Sequence, residues 1–216
     1  MSIHESYAVF GLGRYGKAVA KELALSGADV IAVDRNRGIV NEAAADIPVC
    51  KCADVTDAEV LKRLGIESID VVIIAMAESL EDSVMATMLC KEIGVKTVIA
   101  KCGNEMHQKI LSRVGADMVL FPEQESGTRL AKNLLSSGFV DVIELSDDVS
   151  MVEINPKPEW VGKSLLELNL RKKYSLNVIA IKQRESVSID VLPDTVLTED
   201  MKLIVIANTK KLEKLH

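Results

Sequence analysis

At 216 residues, with 48% hydrophobic and 27% charged side chains, the chain has a globular composition and enough length to bury one or two cores. A formal net charge of -6 without a long basic run argues against a nucleic-acid partner, whose electrostatic footprint has the opposite sign. No apolar stretch reaches the length of a membrane span, and no signal-type apolar segment opens the chain, so a cytoplasmic protein is the expectation.

The first element is an apolar run, Tyr7 to Phe10, that breaks into Gly11-Leu12-Gly13-Arg14-Tyr15-Gly16, with a helical pattern behind it to Leu25. In this G-x-G-x-x-G string Gly11 permits a tight strand-to-helix turn and Gly13 lets the backbone approach a pyrophosphate. Gly16 lets the helix pack closely on the strand. The N–H groups and positive dipole end of that helix then face the phosphates. A glycine triplet alone recurs by chance. Here a second strand, residues 29–34, ends in the carboxylate of Asp34 about 20 residues on, the spacing of a dinucleotide fingerprint. Asp34 would accept hydrogen bonds from adenosine ribose hydroxyls, and its charge disfavours the 2′-phosphate of NADP; the alternative is an ordinary turn carboxylate.

Residues 37–45 read as a helix and 48–52 as a short strand. Thr56-Asp57-Ala58-Glu59 has the form of a capping box, opening a helix through Leu64 with Gly65 as its stop. Residues 70–75 make a fourth strand, apolar enough to be buried on both faces. A helix over 80–93, a fifth strand over 96–101, a helix over 105–114 and a sixth strand over 118–121 follow. Strands alternating with helices through short turns predict a Rossmann-like doubly wound parallel sheet of about six strands, with ligand at the carboxyl ends near the switch point. One more amphipathic helix, 123–135, is closed by Ser136, Ser137 and Gly138.

Beyond it the pattern changes. Residues 140–145 and 150–154 alternate, Asn155-Pro156-Lys157-Pro158 makes a joint, and a short helix runs to Leu168. Strands at 177–181 and 202–207 complete a small α+β module. The expected domains are 1–140, nucleotide-binding, and 141–216. The cysteines, Cys50, Cys52, Cys90 and Cys102, form no paired C-x-x-C knuckle and read as small buried hydrophobes. His4, His107 and His216 read as surface residues.

Four places carry a resemblance. They are the string from Phe10 to Gly16, Val33-Asp34 at the end of the second strand, the passage from Gly115-Ala116-Asp117 to Pro122-Glu123, and Leu168 to Tyr174. In these the chain resembles, over essentially its whole length, the cytosolic regulatory subunits of bacterial Ktr/Trk-type potassium uptake systems, built from the regulator-of-potassium-conductance module. The resemblance implies no catalytic chemistry. It implies subunits that pair and assemble into a homo-oligomeric ring, an octamer, beneath a membrane potassium-translocating subunit. That places the protein in the cytoplasm, peripheral at the inner face of the cell membrane.

ATP or ADP is the implied ligand, with NAD(H) as the alternative. Gly11, Gly13, Arg14, Tyr15 and Gly16 form its loop, and Arg14 would reach the terminal phosphate with its forked, permanently charged donors. Asp54, Ala75, Met76 and Lys101, at strand ends, are either ligand contacts or scaffold. Glu123 would hold a divalent cation, magnesium or calcium, bridged between nucleotide-bearing subunits. In the C-terminal domain the resemblance implies cyclic di-AMP at a two-fold interface, held by Leu165, Leu166, Asn169, Leu170, Arg171 and Asn177. Arg171 would hold phosphate, the leucines would cover the bases, and Asn177 would bond an adenine edge. Asn169 and Lys173 stand where Asp and a small residue are expected in the best-matching relatives; the alternative is an interface helix without ligand.

Two other functions compete with the gating subunit. An NAD-dependent oxidoreductase would need a substrate domain larger than the second module and a histidine or lysine framed by acids. A nucleotide-sensing transcription regulator would need a helix-turn-helix with a basic face. The sequence displays neither set.

Overall fold

The computed structural model describes residues 5–135, 139–146, 148–184 and 186–208. They belong to two compact units, Met1–Glu123 and Gln124–His216. The division lies at the start of a helix, Pro122–Leu135, and the expected 140/141 boundary lies beyond that helix's far end. Ser136, Ser137, Gly138, His4 and His216 lie outside the described residues.

In the first unit six strands alternate with five helices: β1 (Ser6–Phe10), α1 (Arg14–Leu25), β2 (Asp29–Asp34), α2 (Arg37–Ala43), β3 (Cys50–Cys52), α3 (Ala58–Arg63), β4 (Val71–Ile74), α4 (Leu80–Glu92), β5 (Thr97–Lys101), α5 (Glu105–Val114) and β6 (Met118–Leu120). The strands form one parallel sheet in the order β3-β2-β1-β4-β5-β6. The winding reverses between β1 and β4, which is the topological switch point of a doubly wound fold.

The sheet is covered on both faces, so its central strands are apolar without alternation. Phe10, Val72, Ile74 and Ala100 enter one core with Leu61, Ile66 and Leu111; Val9, Ala32 and Ile73 enter the other with Ala20 and Ile47. Asp117, in the Gly115-Ala116-Asp117 string, proves to be scaffold. Its carboxylate accepts from the Val98 N–H at 2.7 Å and pairs with Lys91 at 2.9 Å, tying the start of β6 to β5 and α4. Burial pushes this acid up, but the Val98 N–H and Lys91 outweigh it and hold the carboxyl below the usual carboxylate range.

Two local expectations are corrected. Asp57, not Thr56, caps α3: its carboxylate accepts from the Glu59 N–H, because the Thr56 hydroxyl donates to Asp54 instead. Of the four cysteines Cys90 and Cys102 are buried, but Cys50 is half-buried and Cys52 exposed, since β3 is an edge strand.

The second unit contains α6 (Pro122–Leu135) from Gln124 onward, β7 (Phe139–Ser146), β8 (Val149–Ile154), α7 (Leu165–Leu168), α8 (Leu170–Tyr174), β9 (Asn177–Gln183), β10 (Ser186–Ser188) and β11 (Met201–Asn208). Its strands form an antiparallel sheet in the order β10-β9-β11-β8-β7. One face is apolar: Val152, Ile154, Leu203 and Val205 pack with Trp160, Leu168, Leu170, Leu176 and Leu197. On the other face Glu153 pairs with Lys202 at 2.9 Å and Lys182 at 3.2 Å. The helix expected to end at Leu168 instead turns once through Asn169, left-handed at φ 46°, and continues as α8. Asparagine tolerates that conformation better than most residues. Ser164 and Glu167 make a complete capping box at the start of α7.

Candidate functional site

At the carboxyl ends of β1, β2, β4 and β5 lies a cavity of about 980 Å³. Gly11, Gly13, Arg14, Tyr15, Asp34, Asp54, Ala75, Met76, Lys101 and Glu123 all line it. These are ten of the residues expected in the sequence to hold a cofactor, and they come from the carboxyl ends of all six strands.

The glycines fix its floor. Gly11 turns with φ +86°, and its N–H donates to the Val33 carbonyl at 2.8 Å. A Cβ there would stand 2.7 Å from Met76 Cγ and 3.3 Å from the Ala75 carbonyl carbon, so the β1–α1 turn nests against the loop after β4. Gly16 lies behind the cavity. A Cβ on it would meet the Gly11 carbonyl oxygen at 1.9 Å, which only a shift of the helix could relieve.

Asp34 fastens this floor to the end of β2. One carboxylate oxygen accepts from the Leu12 N–H at 2.7 Å and the other from the Asn36 N–H at 2.8 Å. Each oxygen has a second acceptor direction, so the group can brace the loop and still receive hydroxyl donors.

The start of α1 differs from those of the next four helices. Asn36, Asp57, Ser79 and Asn104 cap α2 to α5 with side-chain oxygens. The cap of α1 is Gly13, with no side-chain hydrogen bond and no acid in the first turn. A helix start has N–H groups without intrahelical acceptors, and its dipole favours an anion.

Cations stand beside it. Arg14 is exposed and has no ion-pair partner among the described residues. Lys101, its side chain only 14% exposed, lies 5.5 Å from the Tyr15 ring centroid and 2.6 Å from Glu123. Hydrogen bonding to Lys101 holds the Glu123 carboxyl below the usual range.

That pair bears on the expected metal. Glu123 is already neutralised by an ammonium, and among the described residues no group of three His, Cys, Asp or Glu side chains could hold an ion. A cation at Glu123 would need ligands beyond the described residues of one chain.

The opposite rim is polar. Asp54 accepts from both the N–H and the hydroxyl of Thr56, which holds its carboxyl low. Arg35 bridges to Asp82, in the first turn of α4, at 3.0 Å. Arg35, Asn36, Ile39, Thr56, Glu78, Ser79 and Asp82 line the cavity but are not among the residues singled out in the sequence. The signal for them was position: most lie just past the ends of β2, β3 and β4, where this topology places ligands.

His107 is not a surface residue. It is 3% exposed, with its backbone N–H bonded to Asn104 and its ring bonded to Ser83 Oγ at 2.7 Å. Its ring faces α4 because it shares a helical face with the buried Leu111, four residues on.

In the second unit Leu166, Asn169, Arg171 and Asn177 are exposed and Leu165 is half-buried, packed against the core. Leu170, expected to cover a base, is only 3% exposed and belongs to the core itself. The αL turn at Asn169 rotates α8 so that Leu170 faces inward and Arg171 outward.

Residues 7–122 match the TrkA-N domain and residues 149–216 the TrkA-C domain. The chain is 37% identical over 210 residues to the Ktr system potassium uptake protein C of Bacillus subtilis (strain 168), covering 97% of this chain and 95% of that one. It is 32% identical over 211 residues to the Ktr system potassium uptake protein A of the same organism, covering 98% and 95%. Among solved structures it is similar to the GsuK channel bound to NAD, with a TM-score of 0.66 and 19% identity, covering 98% of this chain and 38% of that chain. That last likeness is one of fold.

Proposed function

Because this chain belongs to the family of proteins built from a TrkA-N and a TrkA-C domain, we propose that it is a nucleotide-sensing regulatory subunit of a potassium uptake system. The observation that carries the reading is the cavity at the switch point, where an uncapped helix start, two cations and a ribose-spaced carboxylate converge. Its volume of about 980 Å³ suits a whole nucleotide.

Phosphates would lie on the N–H groups at Gly13 and the start of α1, next to Arg14 and Lys101. Ribose hydroxyls would bond Asp34, and the base would lie toward Ala75 and Met76. ATP and ADP are the first candidates and NAD(H) the second, since both present adenosine on a phosphate chain. The GsuK channel, which shares the fold, is described as bound to NAD.

A regulator of this kind works only if its ligands bind two shapes of the assembly differently. ATP and ADP differ at the γ-phosphate, and Arg14, without an ion-pair partner among the described residues, would register it. The outward side of α4 supports assembly with further copies: Leu80, Met85 and Met88 are each more than 40% exposed there. No helix among the described residues is long and apolar enough to cross a membrane, so a separate translocating subunit would supply the pore. The exposed set Leu166, Asn169, Arg171 and Asn177 is the surface on which cyclic di-AMP would bind.

The test is mass spectrometry of nucleotide released from the purified protein, followed by titration calorimetry with ATP, ADP, NADH and cyclic di-AMP. Adenine nucleotide bound through the first unit is the expected result. Steady NADH consumption with a small substrate would overturn the reading in favour of an oxidoreductase.

A further inference from the structure

The buried imidazole of His107 joins two walls of the cavity without lining it. Its Nδ1 accepts the Gly103 N–H at 3.3 Å, and its Nε2 lies 2.7 Å from Ser83 Oγ. The Ser83 hydroxyl donates to the Leu80 carbonyl at 3.0 Å, so Ser83 must accept from the ring. Both nitrogens then have one consistent assignment: Nδ1 bare, Nε2 protonated, the ring neutral. Ser83 is fully buried, as is Thr87, whose hydroxyl donates to the Ser83 carbonyl at 2.7 Å. A polar network this deep is retained only where its members are satisfied.

Each end of the network lies next to the site. Ser83 follows Asp82, which holds Arg35 at the rim. Gly103 lies two residues beyond Lys101, and a Cβ on it would stand 3.2 Å from the Ala77 carbonyl oxygen, in the loop that also lines the cavity. The β5–α5 loop is thus pressed against the β4–α4 loop, and the imidazole is the bond between them.

We propose that His107 is a positioning residue of the nucleotide site, fixing the first turn of α4 against the β5–α5 loop so that Asp82 and Lys101 are presented to one ligand. This role rests on the nucleotide reading of the cavity. Removing the ring should loosen both walls and weaken binding without removing any group that touches nucleotide.

Three substitutions separate the two bonds. His107→Ala removes both, His107→Asn can keep an acceptor near Nδ1, and His107→Gln can keep a donor near Nε2. Nucleotide affinity, measured by calorimetry well below each variant's melting temperature, should fall ~10-fold in His107→Ala, about the worth of one or two positioning hydrogen bonds. The Asn and Gln variants should each recover part of the loss. If His107→Ala does not fold, His107→Gln and Ser83→Ala carry the comparison. Imidazole ¹⁵N shifts of the unmodified protein should report the Nε2–H tautomer, and the Nδ1–H tautomer would overturn the assignment. Equal affinities across the series, in a protein that binds nucleotide, would overturn the role alone. Failure of the unmodified protein to bind ATP, ADP or NADH would remove the reading of the cavity and this role with it.

Discussion

The two units solve the placement of polar groups in opposite ways. In the first, every strand of a parallel sheet points the same way, so all carboxyl ends and the loops after them meet along one edge. Asp34, Asp54, Lys101 and the glycine loop converge there although they are far apart in the chain. In the second, the antiparallel sheet turns alternate strand ends to opposite edges. Its exposed Asn169, Arg171 and Asn177 lie at α7, α8 and the start of β9, beside a sheet with one apolar face. Strand direction therefore decides where the loops of each unit gather.

Substitutions in each unit test that contrast. The largest effect is expected from Trp160→Ala. This side chain is 1% exposed, its ring centroid is 5.2 Å from that of Tyr174, and truncation should cost the second unit about 4 kcal/mol by denaturant unfolding. Nucleotide affinity should be unchanged. A parallel fall in affinity would show that the cavity depends on the second unit.

Gly16→Ala comes next, because a methyl group must displace the Gly11 carbonyl at the floor of the cavity. Overpacking of this kind costs about 2 kcal/mol, and here it should lower both the unfolding midpoint of the first unit and nucleotide affinity. An affinity equal to the parent's would mean that the glycine serves packing alone.

Arg14→Ala should leave stability unaltered, since the residue is exposed and without an ion-pair partner among the described residues. ADP binding should persist while preference for ATP falls about tenfold, within the usual range of coupling energies. Calorimetry that finds the preference intact would reassign the sensing of the γ-phosphate.

The smallest effect concerns pH. Burial pushes the His107 imidazole below its ordinary value, so the folded state disfavours the charged ring while the unfolded chain takes it up near pH 6.5. The unfolded state then binds more protons, and stability is full above that pH and declines as pH falls toward the folded-state value. His107→Gln should lack this decline. Melting curves of the two proteins that fall together on acidification would place the titration elsewhere.

Much of the first unit was legible because its signals are local. Apolar runs buried on both faces, glycines at turns and a helix period of 3.6 mark each strand and helix. The details that escaped depend on neighbours. Thr56-Asp57-Ala58-Glu59 has the letters of a capping box, but Asp54 engages the threonine hydroxyl and leaves the cap to Asp57. In the second unit β10 is three exposed residues, too short for alternation to register, and α8 begins after a left-handed asparagine that no periodicity announces.

The parallel frame, the glycine loop and the spacing to Asp34 are written along the chain, because strand, turn and helix are each specified within a short window. The pairs that finish the site depend on the folded neighbourhood. Arg35 meets Asp82 across 47 residues, Lys101 meets Glu123 across 22, and His107 meets Ser83 across 24. Such pairs exist because the sheet brings successive strand ends side by side, and a linear pattern with periods of two or 3.6 residues contains no term for that neighbourhood.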